Sequence, residues 1–161
     1  MKLNVGDRLP EADMSVMGPE RPEQSKLSAH LDGRKVVLFG LPGAYTGTCS
    51  TTHIPSFMAV IDELKAKGID DVYCISVNDA HVLKAWGEAS GATAAGIKFL
   101  GDPGAEFTKA IGADFTVPAI GFYNRSNRYA ALVDNGVVTV LSVDEPGVCD
   151  VTTGTRFLEQ L

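Results

Sequence analysis

Cys49 is the residue of this sequence with the clearest capacity for chemistry. It stands in the stretch PGAYTGTCSTTH, residues 42–53, which follows a short apolar segment. A helix is predicted to begin here, and the free N–H groups of a first helical turn favour a thiolate over a thiol. Thr46 precedes Cys49 by three residues, so its hydroxyl is expected beside the sulfur. A small buried cysteine under a threonine cap is the alternative that these residues leave open.

His53 follows Cys49 by four residues and suggests a Cys/His pair. A hydrolase of that kind needs a third orienting group and an oxyanion hole, and its catalytic residues usually come from separate parts of the fold. Two residues with this spacing on one helix more often pack or form a local hydrogen bond, so we interpret His53 as a packing residue. The sequence contains no CxxC or HxxxH motif, which argues against a metal site and against thioredoxin-type disulfide exchange.

The composition excludes several other functions. The chain has 161 residues, 45% of them hydrophobic and 21% charged, which predicts one globular domain over residues 1–161. A formal net charge of −6 argues against nucleic acid or an anionic membrane as the main partner. No apolar run reaches the length of a signal peptide or a membrane span, so we expect a cytoplasmic protein with reduced thiols.

Hydrophobic patterning predicts the strands that must position Cys49. Continuous apolar runs over residues 35–41 and 71–78 indicate two strands buried on both faces. A third short strand is predicted for KFLGD. Residues 119–143 indicate a hairpin pair, in which a DNG turn at residues 134–136 separates RYAALV from VVTVLSV.

Helices are predicted between these strands. Apolar residues recur at helical spacing from Thr46 or Thr48, either of which could cap the helix, to Gly68, with a kink or break at Pro55. Shorter helices are predicted for DAHVLKAWGEAS, GAEFTKAIGA and GTRFLEQL. This order of elements indicates an α/β thioredoxin-like fold with a central mixed β-sheet flanked by helices.

Four ordered blocks of the sequence resemble one family. Residues 42–49, PGAYTGTC, match the P-x-x-x-T-x-x-C signature of peroxiredoxins, and LFGLPGAYTGTCSTTHIPSF resembles the type II, or peroxiredoxin-5-like, subfamily. The similarity continues through residues 74–86, 99–112 and 128–138, so it spans nearly the whole chain. The resemblance implies a thiol-dependent peroxidase for hydrogen peroxide and organic hydroperoxides, which forms a homodimer and needs no metal, flavin or haem.

The resemblance also implies a role for each matching residue. Cys49 resembles the cysteine that attacks peroxide, and Thr46 resembles the threonine that hydrogen-bonds both the sulfur and the peroxide. Pro42 resembles the proline that shields the pocket from water. Arg128, just before YAALV, falls where the family keeps its active-site arginine. Arg125 lies one block too early for that role and is expected to be a solvated loop residue.

Thiolate formation does not by itself explain a fast peroxidase. Full ionisation of an ordinary thiol raises its reactive fraction at pH 7 about 30-fold, which lowers a barrier by only about 2 kcal/mol. A less basic thiolate is also a weaker nucleophile. The larger effect must come from donors around the two peroxide oxygens, namely Arg128, the hydroxyl of Thr46 and backbone N–H groups near Cys49. The product on the enzyme is a sulfenic acid at Cys49.

The thiol that returns this sulfenic acid to the reduced state is less directly indicated. Cys74 lies where plant and bacterial type II members often carry a second cysteine, but its predicted strand also suits a buried apolar residue. Cys149 lies near the place of a resolving cysteine in animal members, although Val151 is closer to the equivalent position. We therefore favour an external thiol from glutaredoxin, glutathione or thioredoxin.

Two other functions stay open at this stage. A peroxide sensor or redox-regulated binding protein on the same scaffold would form the sulfenic acid but turn over poorly with any reductant. A Cys/His hydrolase would act on esters or amides without peroxide. Peroxide consumption with the glutaredoxin/glutathione and thioredoxin systems supplied in turn distinguishes the three.

Overall fold

A seven-stranded mixed sheet forms the centre of the structure, a computed structural model that describes residues 1–161. Its strands are β1 (Asp13–Met17), β2 (Pro22–Lys26), β3 (Lys35–Gly40), β4 (Asp71–Ser76), β5 (Ile97–Gly101), β8 (Tyr129–Asp134) and β9 (Val137–Val143), and a separate two-stranded sheet contains β6 (Asp114–Val117) and β7 (Phe122–Ser126). The large sheet has the order β2-β1-β5-β4-β3-β8-β9.

Helices cover both faces of this sheet. They are α1 (Ser28–Leu31), a π-helical turn (Cys49–His53), α2 (Ile54–Met58), α3 (Ile61–Ala66), α4 (Ala80–Ala89), α5 (Ala92–Ala95), α6 (Glu106–Ala110), a 3₁₀ turn (Pro118–Ile120) and α7 (Gly154–Leu158). The predicted mixed sheet flanked by helices is confirmed. None of these helices is long and apolar enough to cross a membrane.

The two continuous apolar runs form the middle of the sheet, as their patterning predicts. β3 pairs in parallel with β4 and antiparallel with β8. Successive side chains of a strand point to opposite faces. Val37 and Phe39 accordingly enter one buried hydrophobic cluster, and Val36 and Leu38 enter another. Burial on both faces is what the unbroken apolar run requires.

The helical segment after Cys49 differs from its prediction. The chain passes through Pro55 and breaks instead at Ala59 and Val60, between α2 and α3. Proline is tolerated because it lies in the first turn of α2, where its missing N–H is not needed. The turn before it is wider, with the Ile54 N–H bonded to the carbonyl of Cys49.

The C-terminal half contains one confirmed hairpin and one that the patterning missed. β8 and β9 pair through the predicted turn, where Asn135 and Gly136 have φ values of 47° and 80°. Positive φ at both central residues is typical of a tight two-residue turn. β6 and β7 form the missed hairpin, whose residues are mostly exposed and therefore lack an apolar pattern.

Candidate active site

Cys49 and Arg128 are in direct contact. One guanidinium nitrogen of Arg128 (Nη1) donates to Cys49 Sγ at 3.1 Å, and both residues are buried, with 0% and 9% exposure. The sheet brings Cys49 and Arg128 together because Gly40, the last residue of β3, is paired with Tyr129, the first residue of β8. The chain leaves β3 toward Cys49 at the same edge where Arg128 precedes β8. A fixed positive charge so close to the sulfur stabilises its thiolate form.

A tight loop connects β3 to the helical turn of Cys49. Thr46 Oγ1 donates to the carbonyl of Gly43 at 2.7 Å, so its hydrogen is committed to that carbonyl. Neither this hydroxyl nor that of Thr48 caps the helix, although the first helical bond does run from the Ser50 N–H to the carbonyl of Thr46. The lone pairs of the Thr46 hydroxyl stay available to accept a hydrogen bond.

Asn78 holds this loop from the neighbouring strand. Its side-chain oxygen accepts the N–H of Ala44 at 3.0 Å and the hydroxyl of Ser76 at 2.6 Å. Asn78 was not among the residues predicted for the site. A signal was present, because Asn78 follows β4, and the carboxyl ends of parallel strands meet at one edge of a sheet.

Arg125 is not the solvated loop residue that was expected. It lies on β7, is half-buried, and donates from Nη1 to the carbonyl of Pro42 at 3.2 Å. Its guanidinium carbon lies 5.5 Å from the centroid of the Phe122 ring. A Cβ atom at Gly43 would overlap its guanidinium, which explains glycine there. Arg125 therefore fixes Pro42, and only Arg128 contacts the sulfur. The expectation failed because β6 and β7 were not recognised as strands.

A cavity of about 670 Å³ opens at this end of the sheet. Pro42, Thr46 and Arg128 all line it, so three of the four predicted site residues share one cavity, and Cys49 contacts the third of them. The apolar part of the lining is Phe115, Val117, Ile120, Phe122 and Val148. The cavity is large enough for hydrogen peroxide or for a hydroperoxide that carries an organic group.

His53 packs away from the sulfur. Its ring packs beside the stacked pair of Phe39 and Phe57, at centroid distances of 5.2 and 5.7 Å, and has no exposed surface. Nε2 is 3.0 Å from the carbonyl oxygen of Thr152. The pKa of His53 is lowered to about 4, chiefly by burial and also by the charge of Arg128, while the Thr152 carbonyl and Asp144 oppose this decrease. The imidazole is therefore neutral at pH 7.

The other two thiols have different surroundings. Cys74 lies on β4 with no exposed surface, and burial raises its pKa well above the ordinary value, as does the nearby Cys49. Cys149 is half-buried after β9. Burial raises its pKa, and the charge of Arg128 opposes that increase. All three cysteines are free thiols. No group of three or more His, Cys, Asp or Glu side chains is arranged to hold a metal ion.

Known proteins are similar to this chain over nearly its whole length. The sequence matches the redoxin family over residues 4–153. It is 43% identical to "Peroxiredoxin-2E-2, chloroplastic" of Oryza sativa over 163 residues, which cover 99% of this chain and 72% of that protein. It is 39% identical to "Peroxiredoxin-2D" of Arabidopsis thaliana, covering 99% and 98% of the two chains. The structure of reduced Prx3 from Vibrio vulnificus in complex with H₂O₂ superposes with a TM-score of 0.91, at 42% identity and 98% coverage of both chains.

Proposed function

Because this chain belongs to the redoxin family, as a type II peroxiredoxin, and is a thiol-dependent peroxidase, we propose that Cys49 is the residue that reduces the hydroperoxide. The observation that carries the proposal is the 3.1 Å hydrogen bond from Arg128 to Cys49 Sγ. Cys74 and Cys149 have pKa values raised by burial and no such donor. Cys49 is therefore the thiol best prepared to react as a thiolate.

The same geometry supports a mechanism for the first step. A hydroperoxide enters the cavity, and its O–H donates to the free lone pairs of Thr46, whose own hydrogen is committed to Gly43. The thiolate of Cys49 attacks the oxygen that carries this hydrogen. The S–O bond forms with the sulfur electron pair, the O–O bond breaks, and the departing alkoxide takes up a proton to leave as alcohol or water. Cys49 becomes a sulfenic acid.

Arg128 contributes most at the moment of bond breaking. Negative charge moves from the sulfur to the departing oxygen during the step, and a guanidinium has several N–H groups in a rigid fork with which to follow it. Removal of one such fixed donor from an enzyme site typically slows the reaction about 10²–10³-fold. This exceeds the about 30-fold gain from thiolate formation, so we assign the larger part of catalysis to Arg128. Pro42 supports the step by limiting access of water to the pocket.

The sulfenic acid is reduced by an external thiol from glutathione, glutaredoxin or thioredoxin. The first thiol displaces water and forms a mixed disulfide with Cys49, and a second thiol releases Cys49 while the two reductant sulfurs pair. Cys74 is buried within β4, which argues against its use as the partner. If Cys149 served instead, peroxide-treated protein would lose the masses of two hydrogens at Cys49 and Cys149 together.

The protein functions as a homodimer that forms around the mouth of the cavity. Three of its lining residues, Val117, Ile120 and Val148, are exposed apolar side chains, and the exposed Tyr45 and Tyr123 are chain neighbours of the lining residues Thr46 and Phe122. Contiguous apolar surface of this kind is typical of an interface. Sedimentation of the purified protein tests the proposal, with charged substitutions at Ile120 and Tyr123 expected to favour the monomer.

Residues 1–161 act as one domain in the cytoplasm. Both hydrophobic clusters pack on the same seven-stranded sheet, which supports a single domain. The proposed reductants are kept reduced in the cytoplasm. Relatives carry the names chloroplastic and mitochondrial, so cell fractionation with an antibody to this protein is the required test of the compartment.

Replacement of the sulfur tests the central assignment. Cys49→Ser is expected to abolish thiol-dependent peroxide consumption and to leave the circular dichroism spectrum unchanged, because serine fills the same buried position. Mass spectrometry should find a single added oxygen, or one reductant thiol, at Cys49 of the wild-type protein and at no residue of the variant. Peroxide turnover by folded Cys49→Ser would exclude Cys49 as the reactive thiol.

A further inference from the structure

Residues 144–154, here called the C-terminal strap, cross the helix that carries Cys49. The carboxylate of Asp144 organises the strap by accepting the N–H groups of Asp150 and Val151 at 3.0 and 2.9 Å and the hydroxyl of Thr152 at 2.6 Å. The Asp144 N–H in turn donates to the carbonyl of Arg128 at 3.2 Å. The strap is therefore fixed to the same residue that contacts the Cys49 sulfur.

Two polar contacts join the strap to the Cys49 helix. His53 Nε2 is 3.0 Å from the Thr152 carbonyl and 3.3 Å from its hydroxyl, and the Gly154 N–H donates to Ser56 Oγ at 2.8 Å. The backbones also touch, because a Cβ atom at Gly154 would lie 2.6 Å from the Ser56 carbonyl oxygen. The C-terminal end of the Cys49 turn is thus held against the strap.

The His53 ring forms hydrogen bonds with Thr152 and with no other residue. A carbonyl oxygen can only accept, so Nε2 carries the hydrogen, and Nδ1 is left as a bare acceptor. Nδ1 is the one buried side-chain nitrogen or oxygen in the protein without a hydrogen-bond partner. Leaving such an atom unpaired destabilises the fold, and an aliphatic residue would fill the space beside the stacked rings of Phe39 and Phe57 without that cost. The bond to the strap is what a histidine offers here.

Cys49 must leave this position during each turnover. Its sulfur has no exposed surface, so a thiol from another molecule reaches the sulfenic acid only if the Cys49–His53 turn moves outward. The start of the turn is held by the bond from Arg128 to Cys49 and by the Trp86 indole N–H, which donates to the hydroxyl of Ser50 at 3.0 Å. The end of the turn is held by His53.

We propose that His53 is a positioning residue that keeps the Cys49 turn closed against the C-terminal strap, and so sets the balance between reaction with peroxide and reaction with the external thiol. This inference rests on the proposed role of Cys49. The closed turn holds the sulfur beside Arg128 for peroxide, and the open turn exposes it to the reductant.

The balance has a measurable chemical outcome, because the sulfenic acid has two competing fates. In the open state a thiol R′SH attacks the sulfur, an S–S bond forms, and the sulfenic oxygen leaves as water. In the closed state a second hydroperoxide transfers one oxygen to the sulfur, giving a sulfinic acid and an alcohol. A weaker contact between His53 and the strap should therefore raise the rate of thiol attack on the sulfenic acid and lower the yield of sulfinic acid.

The test compares two substitutions at one position. His53→Leu removes the donor, and His53→Gln places an amide N–H near the position of Nε2. His30→Leu is the matched control, because His30 is a half-buried histidine bonded to Ser25 at 2.9 Å and packed on Tyr73 in the other cluster. Loss of one hydrogen bond should raise the open population about fivefold.

Two measurements are made on each protein. Hydrogen exchange of the amides of residues 49–53 is followed on reduced protein without peroxide, and sulfenic acid reduction by glutathione is followed by stopped flow together with the sulfinic yield. His53→Leu should raise exchange and reduction rate about fivefold and lower the sulfinic yield. His53→Gln and His30→Leu should behave as wild type.

Unchanged exchange in His53→Leu would overturn the proposal, and so would equal losses in the rates of sulfenic acid formation and reduction. If His53→Leu does not fold, His53→Met takes its place, since it also lacks the Nε2 donor and fills the site with a flexible apolar side chain; unchanged exchange there is equally contrary. The exchange measurement needs no peroxide, so it tests the role of His53 even if wild-type Cys49 forms no sulfenic acid. Absence of sulfenic acid at Cys49 would instead refute the proposed function.

Discussion

Cys49 and Cys74 are equally buried and yet differ in their electrostatic surroundings. Both have no exposed surface and both belong to the same hydrophobic cluster. Cys74 lies mid-strand, opposite Phe39, where burial holds its pKa well above the ordinary range. Cys49 lies where the chain leaves the sheet, with the guanidinium of Arg128 at 3.1 Å.

The comparison shows that burial and reactivity are separate properties of a thiol. Removing a group from water disfavours its charged form, so burial alone makes a thiol inert. An adjacent fixed charge offsets that cost and also gains strength from the surrounding low dielectric. The sheet edge permits such a partner because chain ends from β3 and β8 meet there, whereas the middle of β4 is surrounded by apolar neighbours.

The largest effect on the difference between Cys49 and Cys74 is expected when Arg128, the charged neighbour of Cys49, is replaced. Arg128→Leu should make Cys49 resemble Cys74, and Arg128→Lys should keep the charge but lose the fork of donors. We expect oxidation by peroxide to slow about 10²–10³-fold in both variants, as measured by stopped flow on the fluorescence of Trp86. Arg125→Lys is the matched control and should have a much smaller effect, because Arg125 reaches Pro42 and not the sulfur. Unchanged rates in the Arg128 variants would contradict the assignment.

Thr46 provides a second, smaller test of what distinguishes the two cysteines. Thr46→Val keeps the shape and removes the acceptor for the peroxide O–H together with the bond to Gly43. The loss of one such hydrogen bond should slow peroxide oxidation about tenfold. Thr46→Ser restores the hydroxyl and should recover most of the rate. Equal rates for the valine and serine variants would show that the hydroxyl takes no part.

His53 extends the comparison from thiols to an imidazole. Its pKa is lowered to about 4 by burial, so the unfolded chain, with an ordinary value of 6.5, binds more protons between these limits. Stability is therefore fully present above pH 6.5 and falls as the pH drops toward 4, by at most about 1.4 kcal/mol per pH unit. Urea unfolding at several pH values should show this slope in wild type, reduced in His53→Gln. Equal slopes would mean that His53 is not buried as a neutral ring.

The smallest effects are expected from substitution of Cys74 and Cys149, the two thiols without a bonded guanidinium. Cys74→Ala and Cys149→Ser should leave the rate of peroxide oxidation at Cys49 nearly unchanged, since neither sulfur forms a hydrogen bond with Cys49 or Arg128. Cys74→Ala should also lower the unfolding free energy by about 1 kcal/mol, because it opens a small cavity in the core. Loss of glutathione-supported turnover in Cys149→Ser alone would instead assign Cys149 to resolution.

The sequence was most informative where a pattern is local. The apolar runs of β3 and β4 and the turn between β8 and β9 were predictable, because burial on both faces and positive φ each leave a clear signature. The hairpin of β6 and β7 was not, since its side chains are mostly exposed. The break at Ala59 and Val60 also carries no proline or glycine to mark it.

Cys49 and Thr46 were predictable from their place at a helix start, whereas Pro42 and Arg128 could be predicted only through resemblance. Hydrophobic spacing cannot pair Cys49 with Arg128, because their contact depends on which strand lies beside β3. Arg125 was misjudged for the same reason. Asp144 and Thr152 carried no signal at all, since their role depends on a bond to His53, which lies 99 positions from Thr152 in the chain.

The 79-residue separation between Cys49 and Arg128 also determines when a new chain becomes reactive. The contact closes only after β3 and β8 have paired, which requires most of the chain to be synthesised and ordered. Until then Cys49 is an ordinary thiol without its guanidinium. On the proposed roles of Cys49 and Arg128, we therefore expect peroxide reactivity to be acquired late in folding, after the strands that bring the two residues together have assembled.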